Sequence, residues 1–460
     1  MSLIGIDIGT SFIKGAILDL KTCRYEHVLR IPFPDPLPLK DSFRCEFDAQ
    51  GILNEVSSMI LQLTSLGPPC DGIVMCTQMA SMVLTNEAGE ALSNCIGWRD
   101  QRASMPHPSK KGSYHDVIRS HITTEQRADL GNELPVGAPA CFLFWMKENG
   151  QLKSNVLPVT LADFILANIC KTRPTVDATN ALSYGLLNLD TLQWHQDVIQ
   201  QLGLGDGRWP VIVSDGQVVG QMSLGGREIP CYAPVGDYQC ALVGAMVNTS
   251  ELSLNISTGS QVSRITNHLE KGDYQSRPFF EKKFVNTLSH LPAGRALNIL
   301  VDLLTEIGRQ THGTVQDSWN YIAEAALMAD DSDLGVTTTF FPGPCGNRGV
   351  ISNISEQNLT VGTLFRAAFM NMTENYYSCA LKIWPDRSWE NLVISGGLGR
   401  KLLQLRQMIK HRFQSEIRLC QVEEDTLLGL MILAMVFSGN AGSLQAAMQK
   451  ALKRSNLDME

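Results

Sequence analysis

Ile4-Gly5-Ile6-Asp7-Ile8-Gly9-Thr10-Ser11, followed by Phe12-Ile13-Lys14-Gly15-Ala16-Ile17-Leu18-Asp19, decides how the rest of this 460-residue chain is read. Residues 3–8 predict a buried strand, because β-branched side chains recur with little polar interruption. Gly9 predicts a tight turn, and residues 15–18 the returning strand of a hairpin. Asp7 stands out. A carboxylate at the end of a buried strand is costly unless it is paired, hydrogen-bonded or facing a cation. The turn beside it offers the N–H groups of Gly9, Thr10 and Ser11 and two hydroxyls, the makings of an anion-binding nest. Together these suit a metal-bound polyphosphate, with Asp7 toward Mg²⁺ and the loop around the phosphates. An ordinary hairpin with an Asp at its turn has the same sequence, so one copy does not decide the matter.

A second copy does. Leu252-Ser253-Leu254-Asn255-Ile256-Ser257 is another apolar strand, Thr258-Gly259-Ser260 another turn, and Gln261-Val262-Ser263-Arg264-Ile265 another return. Two such hairpins half a chain apart suit two domains built from the same unit. Phosphate-cradling hairpins facing each other across a cleft resemble the fold of actin, hexokinase and the sugar kinases. The expected fold is therefore α/β, two ribonuclease-H-like (actin/hexokinase-type) domains with a cleft between them. The expected domains are 1–245 and 246–460, with the boundary near 246–252.

The composition bounds the rest. With 44% hydrophobic and 18% charged residues, the chain reads as folded and globular. Its formal charge of −8 is spread without a basic run, so nucleic acid is not an expected partner. The 12 cysteines are scattered, with no Cys-x-x-Cys pair, in a chain too large to need staples; reduced thiols in the cytoplasm are expected. No zinc-type spacing is present. The longest apolar run, 427–437, is too short to span a bilayer, and the start carries no targeting pattern, so no membrane is expected.

Along the chain, apolar spacing through Ile52, Val56, Met59, Ile60 and Leu63 predicts a helix over 49–66. A strand over 72–77 delivers Gln78-Met79-Ala80-Ser81. Trp98-Arg99-Asp100-Gln101-Arg102 crowds an aromatic ring, a carboxylate and two guanidinium groups; a charged helix start is the plain alternative. Helices are expected over 139–149 and 161–169, and a strand over 184–187 after Val176-Asp177-Ala178-Thr179-Asn180. Gly203-Leu204-Gly205-Asp206-Gly207 reads as a turn, since Trp209-Pro210 follows where a dinucleotide site would need a helix. A strand over 229–235 ends at Gly236-Asp237-Tyr238-Gln239, with a helix from 240. In the second half, helices are expected over 296–307, 364–381 and 400–413, and a strand over 337–341. A buried strand over 391–394 delivers Ser395-Gly396-Gly397-Leu398-Gly399. Residues 423–426 cap the last apolar helix.

Ligands of open α/β sheets bind where strand ends meet loops. Four such junctions hold polar or glycine-rich residues: Asp7 to Thr10, Gly236-Asp237, Thr258-Gly259-Ser260 and Gly396-Gly397. Phosphoryl transfer asks little covalent chemistry of a protein; it needs a metal site, N–H donors on phosphates and a base beside the attacking hydroxyl. Asp237 is the candidate base, and an N-cap Asp is its plain alternative.

Taken in order, these runs resemble the FGGY family of carbohydrate kinases over nearly the whole chain. Asp7-Ile8-Gly9-Thr10-Ser11 with Lys14 is similar to the family's first phosphate motif, and Gln78-Met79 to the start of its Gln-Met-His-Gly sugar motif. Trp98-Arg99-Asp100-Gln101-Arg102 is similar to Trp-x-Asp-x-Arg, and Gly236-Asp237 with Gln239 to the segment bearing the catalytic Asp. Thr258-Gly259 resembles the second phosphate motif, and Ser395-Gly396-Gly397 the adenosine motif. Residues 254–258, 177–180, Tyr184-Gly185 and Gly236-Asp237-Tyr238-Gln239 most resemble members acting on sedoheptulose. The resemblance implies ATP and Mg²⁺, a sugar or polyol acceptor, and phosphorylation of a primary hydroxyl, with a ketose favoured: sedoheptulose first, xylulose second. It implies Asp237 as base and Asp7 as the Mg²⁺ carboxylate. Gly9, Thr10, Ser11, Thr258 and Gly259 would hold phosphates, and Gly396 and Gly397 adenosine. Gln78, Met79, Trp98, Asp100, Arg102 and Gln239 would face the acceptor. The expected partners are this small sugar and, at most, a second copy of the chain as a homodimer.

Three departures bear on the acceptor. Ala80 stands where the family has His, Tyr238 follows the catalytic Asp, and the adenosine motif is Gly-Gly-Leu-Gly. Another sugar or polyol is the first alternative. A second is a nucleotide-binding regulatory protein that kept the fold and lost catalysis; Asp7 and Asp237 together argue against it. A P-loop phosphotransferase is excluded, since no Gly-x-x-x-x-Gly-Lys-Ser/Thr run is present.

Overall fold

A computed structural model describes residues 1–312, 318–420, 422 and 424–457. The chain divides into two compact units: Met1–Met246, Ser276–Phe284 and Val422–Glu460 form unit one, and Val247–Gln275 and Val285–Gln421 form unit two. The first break lies beside the expected boundary. The expected domain over 246–460 is interrupted, however, because two later stretches fold into unit one.

Naming only the elements used below, unit one begins with the hairpin of β1 (Ser2–Ile8) and β2 (Phe12–Asp19), in which Asp7 faces Lys14. Every residue of β1 is buried, as its sequence predicts. β3 (Arg24–Pro32) adds an edge with exposed polar residues. α1 (Ala49–Leu66) is capped by Asp48, whose carboxylate accepts from Gln50 N–H at 3.1 Å, and it buries Ile52, Val56, Met59, Ile60 and Leu63. β4 (Ile73–Thr77) runs parallel to β1. β5 (Val218–Leu224) and β6 (Arg227–Tyr232) form a hairpin, and β7 (Val235–Gly236) pairs in parallel with β4 and leads into α2 (Asp237–Gly244). The sheet order is β5-β6-β4-β1-β2-β3, with β7 beside β4.

Unit two repeats the local plan. β8 (Glu251–Ile256) and β9 (Ser260–Thr266) form the second hairpin. β10 (Phe284–Leu291), α3 (Gly294–His312) and α4 (Val361–Ile383) follow, then β11 (Asn391–Ser395), parallel to β8, and β12 (Glu416–Leu419), parallel to β11. The order is β10-β9-β8-β11-β12. In each unit the first hairpin strand is thus flanked by its own return on one side and a parallel strand on the other. Helices cover both mixed sheets, the arrangement expected of one α/β unit used twice. Unit two has its own core, built from Leu252, Leu254, Leu392 and Ile394 of the sheet and Phe365, Phe369 and Tyr376 of α4.

A late helix, α5 (Asp425–Phe437), lies in unit one and is buried nearly all round, from Leu427 to Met435. A helix that apolar needs neighbours on every side, which is why residues so late in the chain return to the first core. No helix of the described residues is long and apolar enough to cross a membrane. All 12 cysteines are free thiols.

Some local expectations shift. The strand over 184–187 is instead a 3₁₀ turn, Leu182–Tyr184, and the two-residue strand Leu187–Asn188. Packing decides there: the Tyr184 ring lies on Trp194, centroids 5.0 Å apart, and its hydroxyl donates to Pro158 O at 3.0 Å. The helix over 400–413 is two, Gly397–Lys401 and Leu403–Phe413, broken at Leu402 by an extended ψ of 91°. The short strand expected over 337–341 is Gly335–Thr337. The helix expected from 240 begins at Asp237, which brings that carboxylate into its first turn. Glu423 of the expected cap lies outside the described residues.

Candidate active site

Three parallel strands of unit one end level with one another. Asp7 and Val235 are both register partners of Cys76, and Ile8 and Gly236 of Thr77. Gly9, Gln78 and Asp237 are therefore the first residues to leave β1, β4 and β7, at the sheet edge where α/β proteins bind ligands. Asp237 is also the first residue of α2, where a carboxylate suits the helix dipole. Burial nevertheless pushes its pKa up to about 7; Asp7 and Asp425 push the same way, and the Tyr238 N–H and the Arg277 guanidinium oppose them.

Asp7 is only 3% exposed. The Thr426 hydroxyl donates to its Oδ2 at 2.6 Å, the Cys76 thiol to Oδ1 at 3.5 Å, and Lys14 Nζ lies 3.5 Å from Oδ2. Burial still raises its pKa, against the pull of Lys14 and these donors. Lys14 also donates to Glu424 Oε2 at 2.6 Å. Asp425 is pushed up to about 6, chiefly by burial. Asp425 and Thr426 read from sequence as helix caps; their place beside Asp7 depends on α5 returning to this unit.

A polar relay links three of the expected residues. Trp98 Nε1 donates to Thr10 Oγ1 at 3.3 Å, and Thr10 Oγ1 donates to Gln78 Oε1 at 3.2 Å. Gln78 Nε2 and Gln239 Oε1 are buried with no protein partner, while Gln239 Nε2 donates to Pro278 O at 3.2 Å. Gly236 leaves room beside Gln239: a Cβ there would lie 2.6 Å from Gln239 Oε1 and 3.4 Å from Met79 Sδ. Trp98 is 41% exposed, and Ser11 is exposed at the hairpin turn. The Gly9 N–H is committed within that turn to Phe12 O at 3.0 Å, so it is not one of the free donors expected there.

Asp100 and Arg102 do not present free polar groups to an acceptor. Arg102 is 1% exposed, and its Nε and Nη2 donate to the two Asp100 oxygens at 2.8 Å each. Nη2 also donates to Glu46 Oε1 at 2.7 Å, and Asp100 Oδ2 accepts from Cys45 N–H at 2.8 Å. Burial alone would lower the Arg102 pKa, but Asp100 and Glu46 raise it. A bidentate pair with every carboxylate oxygen engaged is a brace for the Trp98 loop.

Another brace was visible in the sequence only as part of the resemblance. Thr179 Oγ1 accepts from Gly236 N–H at 2.9 Å, and Asn180 Nδ2 donates to Pro234 O at 2.9 Å. Asp177 in turn accepts from Thr179 N–H at 2.8 Å; burial, with Asp215 adding to it, pushes its carboxyl up to about 7. The run Asp177-Ala178-Thr179-Asn180 thereby holds Pro234, just before β7, and Gly236, just before Asp237. An Asp-x-Thr-Asn run ahead of a short apolar strand was the available signal.

In unit two, Thr258 and Gly259 lie exposed at the hairpin turn. The first turn of α3 stands behind it, with Gly294 N–H on Ser257 O at 3.0 Å and Arg295 N–H on Thr258 O at 2.8 Å. Asn255 Nδ2 donates to Ser395 Oγ at 3.0 Å, joining the ends of β8 and β11. Gly396 has φ +86°, and a Cβ there would lie 2.4 Å from Ile256 O; nothing lies within 4 Å of one on Gly259 or Gly397. Thr258, Gly259, Gly396 and Gly397 thus gather at the ends of two adjacent parallel strands.

The family model for the FGGY family of carbohydrate kinases, N-terminal domain, matches residues 2–244. Sedoheptulokinase of Mus musculus is 25% identical over 354 residues, 70% of this chain and 69% of that protein. Among solved structures, xylulose kinase from Rhodospirillum rubrum has a TM-score of 0.84 at 16% identity, covering 98% of this chain and 92% of that one. Gluconate kinase from Lactobacillus acidophilus has a TM-score of 0.82 at 18% identity, covering 99% and 96%. At those identities the structures speak for the fold alone. The family model spans more than half of the chain and contains the strand ends of unit one just described, so this chain belongs to the FGGY family of carbohydrate kinases.

Proposed function

We propose that the protein transfers the γ-phosphoryl group of ATP to a primary hydroxyl of a ketose, with sedoheptulose the preferred acceptor and xylulose second. The observation that carries this reading is Asp237, a carboxylate at the shared end of β4 and β7 whose pKa is pushed to about 7. A general base works best when its pKa lies near the working pH. Asp237 would accept the proton of the acceptor hydroxyl as that oxygen attacks phosphorus.

Gln78 and Gln239 support a polyhydroxylated acceptor. Gln78 leaves a buried donor unpaired and Gln239 a buried acceptor, and hydroxyl groups can pair with either kind. Sites of that kind discriminate strongly, since an analogue without the hydroxyl leaves them unpaired. Met79 and Trp98 would supply apolar and aromatic surface. Asp100 and Arg102 would act through the Trp98 loop.

For the nucleotide, the open backbone at Gly259 and Gly397 and the exposed Thr258 suit phosphates and adenosine approaching main chain. In unit one, Thr10 and Ser11 are proposed as phosphate contacts, with Gly9 shaping their turn. Among the described residues no three His, Cys, Asp or Glu side chains gather as a metal cage. The donor set still fits Mg²⁺, which binds through one or two carboxylates and retained water. The carboxyls of Asp7, Asp237 and Asp425 are all pushed up, chiefly by burial, which a bound cation would offset, and Asp7 would hold the ion through water. When bound, Mg²⁺ supplies charge neutralisation on the phosphates. The cytoplasm is the proposed setting.

The test is ADP release with Mg-ATP and a panel of sedoheptulose, xylulose, gluconate and glycerol. The expected result is the highest kcat/KM on sedoheptulose. A preference for glycerol or gluconate would replace the ketose assignment, and no acceptor-dependent release would remove the kinase reading.

A further inference from the structure

Residues 276–278 belong to unit one, and Arg277 and Pro278 reach the surroundings of Asp237. Ser276 N–H donates to Gly131 O at 3.0 Å. Arg277 Nε donates to Glu133 Oε1, and the guanidinium carbon lies 4.6 Å from the centroid of the Tyr238 ring. Pro278 O accepts from Gln239 Nε2 at 3.2 Å. The strap therefore touches the two residues that follow Asp237 in α2. That helix needs such help. Its N-cap is Gly236, which has no side chain with which to cap the first turn.

The Glu133 and Arg277 side chains are 10% and 12% exposed. A charge pair that dry is held for its geometry, since burying two charges costs more than their attraction returns unless both are well paired. Arg is suited to this place, because its planar group can bond a carboxylate edge-on while lying over an aromatic face. Three groups act on Asp237 from different elements: the carboxylates of Asp7 on β1 and Asp425 on α5, and the cation of Arg277 on the strap.

We propose that Arg277 is a positioning residue for acceptor phosphorylation: by bridging Glu133 to the Tyr238 ring, it fixes the first turn of α2 and so the direction of the Asp237 carboxylate. This rests on Asp237 being the base. Without the bridge the first turn of α2 loses the contact that links it to Glu133 and the carboxylate loses its aim, while Thr258, Gly259, Gly396 and Gly397 keep their surroundings. The loss should therefore fall on kcat, with little change in the KM for ATP.

The test compares Arg277→Met, Arg277→Lys, Tyr238→Phe, Glu133→Gln and Asp237→Asn, each checked for folding by its thermal melt. Arg277→Met is expected to lower kcat by about tenfold to a hundredfold, a size that small misplacements reach, with the KM for ATP within about twofold. Arg277→Lys should recover part of the loss, and Tyr238→Phe, which keeps the ring, should stay close to the parent. Full kcat in a folded Arg277→Met, with Asp237→Asn inactive, overturns this inference alone. Retained activity in Asp237→Asn overturns the base reading, and this inference with it. If Arg277→Met does not fold, Glu133→Gln decides: unchanged kcat overturns the proposal, and a kcat loss at constant KM for ATP supports it.

Discussion

Gly244 of α2 and Gly429 of α5 lie where each helix crosses the other's backbone. A Cβ on Gly244 would fall 1.8 Å from Asp425 O and 2.9 Å from Gly429 N, and one on Gly429 would fall 2.1 Å from Cys240 O. The two helices that begin at Asp237 and Asp425 are thus in backbone contact, which sets both carboxylates beside Asp7.

Gly429→Ala should force that contact apart. The expected loss of stability is about 1–3 kcal/mol, the usual size for overpacking. Urea denaturation measures it, and an unchanged midpoint would mean that the helices separate freely.

Asp237→Asn should fold and lose phosphorylation by about a hundredfold or more, as expected for a general base. In the parent protein the base must be ionised to accept a proton. The kcat/KM profile should therefore fall as the pH drops below about 7, the value to which burial and Asp7 push Asp237. A flat profile between pH 5.5 and 8, spanning that value by roughly a unit each side, would count against its role.

Stability should run the other way. Asp177 and Asp237 are raised to about 7, so the folded chain keeps protons that the unfolded chain, titrating near 4, has released. Between those values the unfolded state binds fewer protons, and stability contributed by these groups falls as pH rises. Asp177→Asn should flatten this decline in a series of thermal melts. An identical slope in both proteins would show that Asp177 is ionised without cost.

Arg102→Met should destabilise the protein by about 3–5 kcal/mol, because it takes the bidentate guanidinium from the buried Asp100 carboxylate and leaves Glu46 to Arg44 and Asn94. The decisive comparison is stability against acceptor KM. A raised KM with an unchanged melting temperature would return Arg102 to direct contact with the acceptor.

Ala80 has φ +63°, a left-handed conformation in which His is enriched among non-glycine residues. Ala80→His should therefore be tolerated by the backbone. An imidazole beside Met79 should change the relative kcat/KM among ketoses by about 1–3 kcal/mol, the worth of a buried polar contact. Identical rankings would place the acceptor away from residue 80.

The parts that were legible in the sequence are those set by local pattern. β1 declared itself by its β-branched residues and β8 by its apolar run, and α1 by its apolar spacing. The family motifs then named Asp237 and the glycine pairs. What sequence could not give was which polar groups face each other. Asp100 and Arg102 carry the residue types of an acceptor site, yet their bonds close on one another and on Glu46, a pairing across 56 positions that no local pattern records. Gly9 was read as a donor to phosphate, but its N–H closes its own turn. Arg277 and Asp425 were missed because the stretches that hold them rejoin unit one only after the chain has built most of unit two.

That order of assembly governs synthesis. Lys14 and Glu424 meet across 410 positions and Asp7 and Thr426 across 419, whereas the pairs of β8, β9, β11 and β12 in unit two all lie between Glu251 and Leu419. Contacts so distant in sequence form late, because the intervening chain must first be made and gathered. On the ribosome, unit two is therefore the part that can complete its core while residues 425–437 are still inside the exit tunnel. The hairpin bearing Asp7, although early in the chain, waits for that late helix.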